Sequence, residues 1–180
     1  MNKSASFTLN RPSYLVKLLK LEDAVVLQSF YEQGIEFALL TDSQPSSSTA
    51  ARDEFDAVPD GKTTEDKYIF GLFDPQNNLI GMIESIRHYP DNQTWWLGLM
   101  MLSPQQRGQG LGSEFYQAFE NWVSAQAVKQ VSLSVVEANE LGLQFWQSLG
   151  FEVIRKTEPQ QFGNKTHVVY VMCRAVATVA

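Results

Sequence analysis

The sequence predicts a chain of the α/β class, in its α+β form: a mixed, mostly antiparallel sheet of about seven strands flanked by helices. Three observations carry this expectation. Short apolar runs of strand length recur along the whole chain, several of them joined by brief segments of turn residues. Between these runs lie stretches whose apolar residues return at helical spacing. Finally, 180 residues of which 44% are hydrophobic suffice for one sizeable core and not comfortably for two, so residues 1–180 read as one domain.

The elements follow in order. After Pro12, the run from Tyr14 to Leu19 reads as the first strand. Asp23 can then cap a helix in which Leu27, Phe30, Tyr31, Gly34, Ile35 and Ala38 share one face of a 3.6-residue period. From Thr41 to Asp66 the character changes. Ser46 to Ser48, two prolines and seven acidic residues against only Arg52 and Lys62 describe a mobile or irregular loop over 41–66.

Tyr68 to Phe73, Leu79 to Tyr89 and Thr94 to Leu102 are strand-like. Their connections, Asp74 to Asn78 and Pro90 to Gln93, are short and rich in turn residues, which predicts an antiparallel meander. Leu111, Phe115, Ala118, Phe119, Trp122 and Val123 have helical spacing, and Val131, Leu133 and Val135 alternate with serines as a strand does. Phe145, Trp146 and Leu149 return to the helical period, which Gly150 stops. Phe151 to Arg155 and His167 to Ala175 close the chain as a strand pair around a polar turn with Pro159, Gly163 and Asn164.

Charge and composition exclude several functions. Fourteen basic against twenty acidic residues give a net charge of -6, and no basic run occurs, so no nucleic-acid partner is expected. One cysteine and two distant histidines offer neither an internal disulfide nor zinc spacing, so no metal is expected. Cys173, inside an apolar run, reads as a buried inert thiol, and His88 and His167 read as surface residues. No stretch resembles a signal peptide or a membrane span, which points to a soluble cytoplasmic protein with no membrane partner.

The segment Met101 to Glu114 carries the chemistry. A strand stops at Pro104, Gly108, Gly110 and Gly112 alternate, and an amphipathic helix begins at once. Free backbone N–H groups and the positive end of a helix dipole therefore converge, which is a site for phosphate. Arg107 can add a charge-assisted contact. A P-loop would need a lysine after its last glycine, and Ser113 follows Gly112. A dinucleotide fingerprint starting at Gly108 would need its third glycine at position 113, but Glu137 does follow the next strand as a ribose-binding carboxylate would, so that rival stays open.

Arg107-Gly108-Gln109-Gly110-Leu111-Gly112 resembles the Arg/Gln-x-x-Gly-x-Gly/Ala signature of the GNAT superfamily of N-acetyltransferases. The preceding Leu102-Ser103-Pro104 is similar to the Val-x-Pro of that family. Asn139, Gly142, Trp146, Gly150 and Phe151 fall at the spacing of its second motif, so the resemblance spans roughly Ile80 to Phe151. It implies a GNAT-like sheet with splayed central strands and acetyl-CoA as co-substrate. The pyrophosphate would be held by Arg107 and the backbone of Gly108, Gln109, Gly110, Leu111, Gly112 and Ser113. The pantetheine arm would lie along the open strand edge near Leu102, and an N–H around Met100 to Leu102 would face the oxyanion of the reaction. Asn139 would reach the pantetheine or serve only as a helix cap.

The pattern also departs from the family. Trp146 stands where many relatives carry the tyrosine that protonates the leaving thiolate; an indole N–H donates a hydrogen bond but does not ionise. Thr94-Trp95-Trp96 offers no acid where relatives carry a carboxylate base. Glu84, between Ile83 and Ile86, is the leading substitute and Glu137 the second. The implied acceptor is an amine of a small molecule or peptide. Between Glu32 and Asp66, nine acidic residues face two basic ones, which suits a cationic acceptor or marks only a solvated acidic face. A catalytically weak acyl-CoA-binding sensor is the rival function, and a homodimer is compatible with either.

Overall fold

The computed structural model describes residues 5–177. Its main sheet has seven strands: β1 (Leu15–Leu18), β2 (Lys67–Phe73), β3 (Leu79–Arg87), β4 (Thr94–Leu102), β5 (Gln130–Val136), β6 (Glu152–Lys156) and β9 (Val169–Ala175). A separate hairpin pairs β7 (Gln160–Phe162) with β8 (Lys165–His167). The helices are α1 (Ala24–Gln33), α2 (Ile35–Thr41), α3 (Ala50–Asp56), α4 (Leu111–Ser124) and α5 (Glu140–Ser148).

The order across the sheet is β1-β2-β3-β4-β5-β9-β6, and only the β4/β5 pairing is parallel. The predicted meander is β2-β3-β4, joined by a turn in which Asp74 Oδ1 accepts from the N–H groups of Gln76 and Asn78 at 3.0 and 2.8 Å. A crossover through α4 puts β5 beside β4, as expected of parallel strands joined by a helix.

Both faces of the sheet are covered. Phe70, Leu72, Trp95, Leu97 and Leu133 meet Leu111, Phe115, Phe119 and Val123 of α4 on one side. On the other, Ile69, Phe73, Met82 and Met101 meet Leu27, Phe30 and Tyr31 of α1 and Ala51 of α3. Two-sided burial explains why β2, KYIFGLF, is an almost unbroken apolar run rather than an alternating one.

Three expectations need correction. Segment 41–66 is not irregular throughout, because α3 lies inside it and docks on α1. There Gln28 Oε1 accepts from Ala51 N–H at 3.1 Å, and Gln28 Nε2 donates to the Ser47 carbonyl at 3.0 Å. The residues Ala50-Ala51-Arg52-Asp53-Glu54-Phe55 are mostly good helix formers, and the serines and prolines flank them. Second, the helix expected after Asp23 breaks at Gly34 into α1 and α2, where an added Cβ would lie 2.6 Å from the Met101 methyl group.

Third, the closing strand pair contains the β7–β8 hairpin, and the hairpin docks on the C-terminal end of α2. Lys165 Nζ donates to the carbonyls of Leu39 and Leu40 at 2.7 and 3.0 Å, and the Asn164 N–H donates to Asp42 Oδ1 at 2.9 Å. His167 is therefore buried rather than superficial, with Nε2 2.9 Å from the Thr41 carbonyl. The last carbonyls of a helix lack intrahelical donors, and the hairpin supplies them. Cys173, in turn, is only partly buried, and that burial pushes its thiol up from the ordinary value.

Candidate active site

β4 and β5 pair only from Thr94/Gln130 to Leu97/Leu133. Beyond Leu97, β4 continues to Leu102 bonded to β3, while β5 continues to Val136 bonded to β9. The two parallel strands thus part, as the resemblance implied, and a cleft opens between them.

The parting coincides with a bulge. Glu84 of β3 pairs with Leu99 and the next residue, Ser85, with Leu97, which leaves Gly98 as the extra residue of β4. Further along, the Ser103 N–H donates to the Ile80 carbonyl at 2.8 Å. N–H groups alternate sides along a strand, so those of Leu102 and Met100 face away from β3 and into the cleft.

Two adjoining cavities fill the cleft. The larger, of about 630 Å³, runs from Met100 and Leu102 to Arg107, Gly108, Gly110, Gly112 and Ser113. The smaller, of about 350 Å³, is walled by Glu84, Gly98, Leu99, Glu54 and the diverging part of β5. Phe37, Met100, Asn139 and Trp146 belong to both.

The glycine loop opens at the start of a helix, where backbone N–H groups suit an anion. Gly108 and Gly110 have φ of +71° and +77°, and Gly110 is the residue from which α4 departs. An added Cβ at either position would meet no atom within 4 Å, so each glycine backs open space rather than packed protein. The N–H groups from Gly108 to Ser113, including those of Gln109 and Leu111, have no backbone acceptor among the described residues. From behind, Arg11 ties the loop to α4. Its Nε lies 2.8 Å from Glu114 Oε2, and its guanidinium donates to the Gln109 carbonyl at 3.4 Å. A Cβ at Gly112 would make only ordinary contact, at 3.4 Å from Leu102 and 3.5 Å from Phe145.

Arg107 lies at the mouth of this loop and is ion-paired with Glu36 of α2, while its Nε donates to the Leu102 carbonyl at 3.0 Å. The two side chains are 43% and 47% exposed, so the pair is weak, of the order of 0–1 kcal/mol. Asn139 caps α5 through Oδ1, which accepts the Gly142 N–H at 3.0 Å. Trp146 makes T-shaped ring contacts with Tyr116 and Phe151, at 5.4 and 5.2 Å between centroids, and lines both cavities. No tyrosine lines either cavity among the described residues.

The two carboxylate candidates separate clearly. Glu84 is 6% exposed and its carboxylate lies over Gly98, with Oε2 2.0 Å from where a Cβ would stand. Burial, opposed by Lys67 and reinforced by Glu54, pushes its carboxyl up to about 7. Glu137 instead lies on the surface, 2.9 Å from Lys156 and 2.7 Å from the Tyr170 hydroxyl, and lines neither cavity. The strand that ends at Val136 turns away toward β9, and Glu137 goes with it.

Sequence reasoning missed the surroundings of Glu84. Lys67 Nζ sits 3.3 Å from Glu84 Oε1 and 2.6 Å from Glu54 Oε1. Tyr31 places its hydroxyl 3.4 Å from Glu54 Oε2. The overlooked signal was the helix-forming run that carries Glu54. Among the described residues, no group of three or more His, Cys, Asp or Glu could hold a metal, and no helix is long and apolar enough to cross a membrane.

The profile of the acetyltransferase (GNAT) family matches residues 27–151. The chain belongs to the GNAT family of acetyltransferases. Solved structures agree at the level of fold. An acetyltransferase from Thermus thermophilus superposes with a TM-score of 0.69 at 20% identity, covering 91% of this chain and 97% of its own. The spermidine N-acetyltransferase of Vibrio cholerae, with CoA and spermine, gives 0.72 at 13% identity, covering 93% and 98%. A GCN5-related N-acetyltransferase from Kribbella flavida gives 0.67 at 20% identity, covering 92% and 99%. A search of curated proteins gives no match.

Proposed function

We propose that this GNAT chain moves an acetyl group from acetyl-CoA to an amine of a small molecule or peptide, by direct attack of the amine in the cleft between β4 and β5. The observation that carries this reading is the continuity of that cleft. A phosphate-binding loop opens into one end, a buried carboxylate lines the other, and Met100, Asn139 and Trp146 wall the junction.

The loop fits a diphosphate, because Gly108 and Gly110 leave open space above backbone N–H groups at the start of a 14-residue helix. Arg107 adds its charge once it leaves Glu36. The inward-facing N–H groups of Leu102 and Met100 can pair with the peptide-like pantetheine and polarise the thioester carbonyl. Asn139 stands at the same wall. Glu84 accepts the proton that an attacking amine must lose; a carboxyl held near neutrality is matched to that task. Trp146 shapes the junction without moving a proton. The leaving thiolate has a pKa near the ~8.5 of an ordinary thiol, so solvent can reprotonate it.

Of the nine acidic residues between Glu32 and Asp66, Glu36 and Glu54 reach the cavity walls. Together with Glu84 they favour a cationic acceptor, such as a polyamine or a basic peptide N-terminus. The absence of tyrosine from the cavity walls favours a second reading, an acyl-CoA-binding module with weak turnover. Release of CoA from acetyl-CoA with spermidine, a peptide with a free N-terminus and a neutral alkylamine separates the two. Turnover with at least one amine, reduced on the order of 10²-fold in Glu84→Gln, supports the transferase. Tight CoA binding with no amine-dependent release supports the module.

A further inference from the structure

Lys67 occupies a position that sheet geometry alone does not explain. Ile69 pairs with Glu84 and Lys67 with Ile86, so Lys67 and Glu84 are diagonal neighbours on one face of the β2–β3 ladder. The lysine side chain is 4% exposed, and its ammonium lies among three oxygens: Glu54 Oε1 at 2.6 Å, the Ala57 carbonyl at 2.6 Å and Glu84 Oε1 at 3.3 Å. One oxygen of Glu84 thus faces the ammonium, while Oε2 lies over Gly98 on the cavity side. Lys67 itself does not line that cavity.

A buried pair of one lysine and one carboxylate is self-sufficient and adds little stability. Here the lysine is shared by two carboxylates, with a carbonyl at the end of α3 as the third oxygen. The charged groups facing Glu84 are Lys67 from β2 and Glu54 from α3, with the Tyr31 hydroxyl from α1 bonded to Glu54; β4 contributes none.

We propose that Lys67 is a positioning residue for Glu84: it anchors one carboxylate oxygen, aims the other into the cleft, and divides its charge between Glu84 and Glu54. This rests on Glu84 as the base. It also gives α3 a role, since that helix delivers the second carboxylate.

The test is a titration that needs no acceptor. In protein labelled with ¹³C at the glutamate carboxyls, the resonance absent from Glu84→Gln reports Glu84. Lys67→Met removes the attraction and leaves two carboxylates facing each other, so the midpoint rises by about one unit or more. Glu54→Gln removes a like charge and frees the lysine, so the midpoint falls. Lys67→Arg keeps the charge and stays close to the wild-type midpoint. Shifts of opposite sign are something general loosening of the fold does not produce. A midpoint unmoved in Lys67→Met, or moved the same way in both neutral variants, overturns the proposal. CoA release keeps the two readings apart. Loss of turnover in Glu84→Gln with no shift in the Lys67 and Glu54 variants sinks the Lys67 proposal alone. Retained turnover in Glu84→Gln sinks the base, and with it the positioning role.

Discussion

Gly110→Asp tests the loop assignment with a size that can be worked out beforehand. Gly110 holds φ +77°, a conformation that costs an L-residue roughly 1–2 kcal/mol. The added Cβ meets no protein atom within 4 Å, so no steric cost joins that strain. At about 2–4 °C per kcal/mol for a chain of this size, the melting temperature should fall by only a few degrees. Binding is affected far more. A carboxylate about 4 Å from a phosphate charge costs about 4 kcal/mol at an effective dielectric of about 20, which is close to 10³ in Kd. Calorimetric titration with CoA at fixed ionic strength reads the loss. Gly110→Ala carries the strain without the charge and should stay within about tenfold of wild type, since ~1.4 kcal/mol is a factor of ten. A folded aspartate variant with unchanged CoA affinity would refute the phosphate site. An alanine variant as weak as the aspartate one would show that strain, and not the anion cradle, governs the loop.

Three further outcomes follow from the same geometry. Trp146→Phe should lower turnover less than about tenfold, because the indole moves no proton; a loss beyond a hundredfold in a well-folded variant, measured by CoA release, would give the N–H a role. Gly98→Ala places a methyl group 2.0 Å from Glu84 Oε2 and must displace the carboxylate, so turnover should drop nearly as far as in Glu84→Gln while CoA affinity holds. Matched cationic and neutral amines should differ most at low salt, the preference shrinking as the Debye length falls below about 10 Å. Equal rates at low salt would remove the cationic acceptor.

What could be read from the sequence was what local chemistry dictates. The turn at Asp74, the glycine loop and the start of α4 are each specified within a few residues, and they lie where the sequence places them. Glu84 could be named because an acid among Ile83 and Ile86 is conspicuous, but whether it faced solvent depended on how β4 lies over it. Glu137 is the second candidate in the sequence and is ruled out only because β5 leads it toward β9. The helix α3 is hard to read from the sequence for a related reason. It is seven residues long, too short to be stable alone, and it forms because Gln28 and Lys67 supply partners from distant parts of the chain. His167 likewise owes its burial to the hairpin's docking at the end of α2, where it meets the Thr41 carbonyl, more than a hundred residues earlier.

The bulge at Gly98 links the two halves of the cleft. In a regular strand Trp95, Leu97, Leu99 and Met101 would share one face. Instead Trp95 and Leu97 pack toward α4, whereas Leu99 and Met101 pack toward α1 and α3. One extra residue inverts the alternation, and the added twist of a bulge accompanies the separation of β4 from β5. The same inversion turns Met100 and Leu102 toward the α4 side, where the glycine loop begins. It also leaves a residue without a side chain opposite β3, and the Glu84 carboxylate fills that space. The inward turn of Met100 and Leu102 and the place of the buried carboxylate therefore arise from a single insertion. Deleting Gly98 to restore regular pairing would remove the space that the Glu84 carboxylate fills and return Met100 and Leu102 to the other face, so, unlike a methyl group added at Gly98, it would alter both ends of the cleft at once.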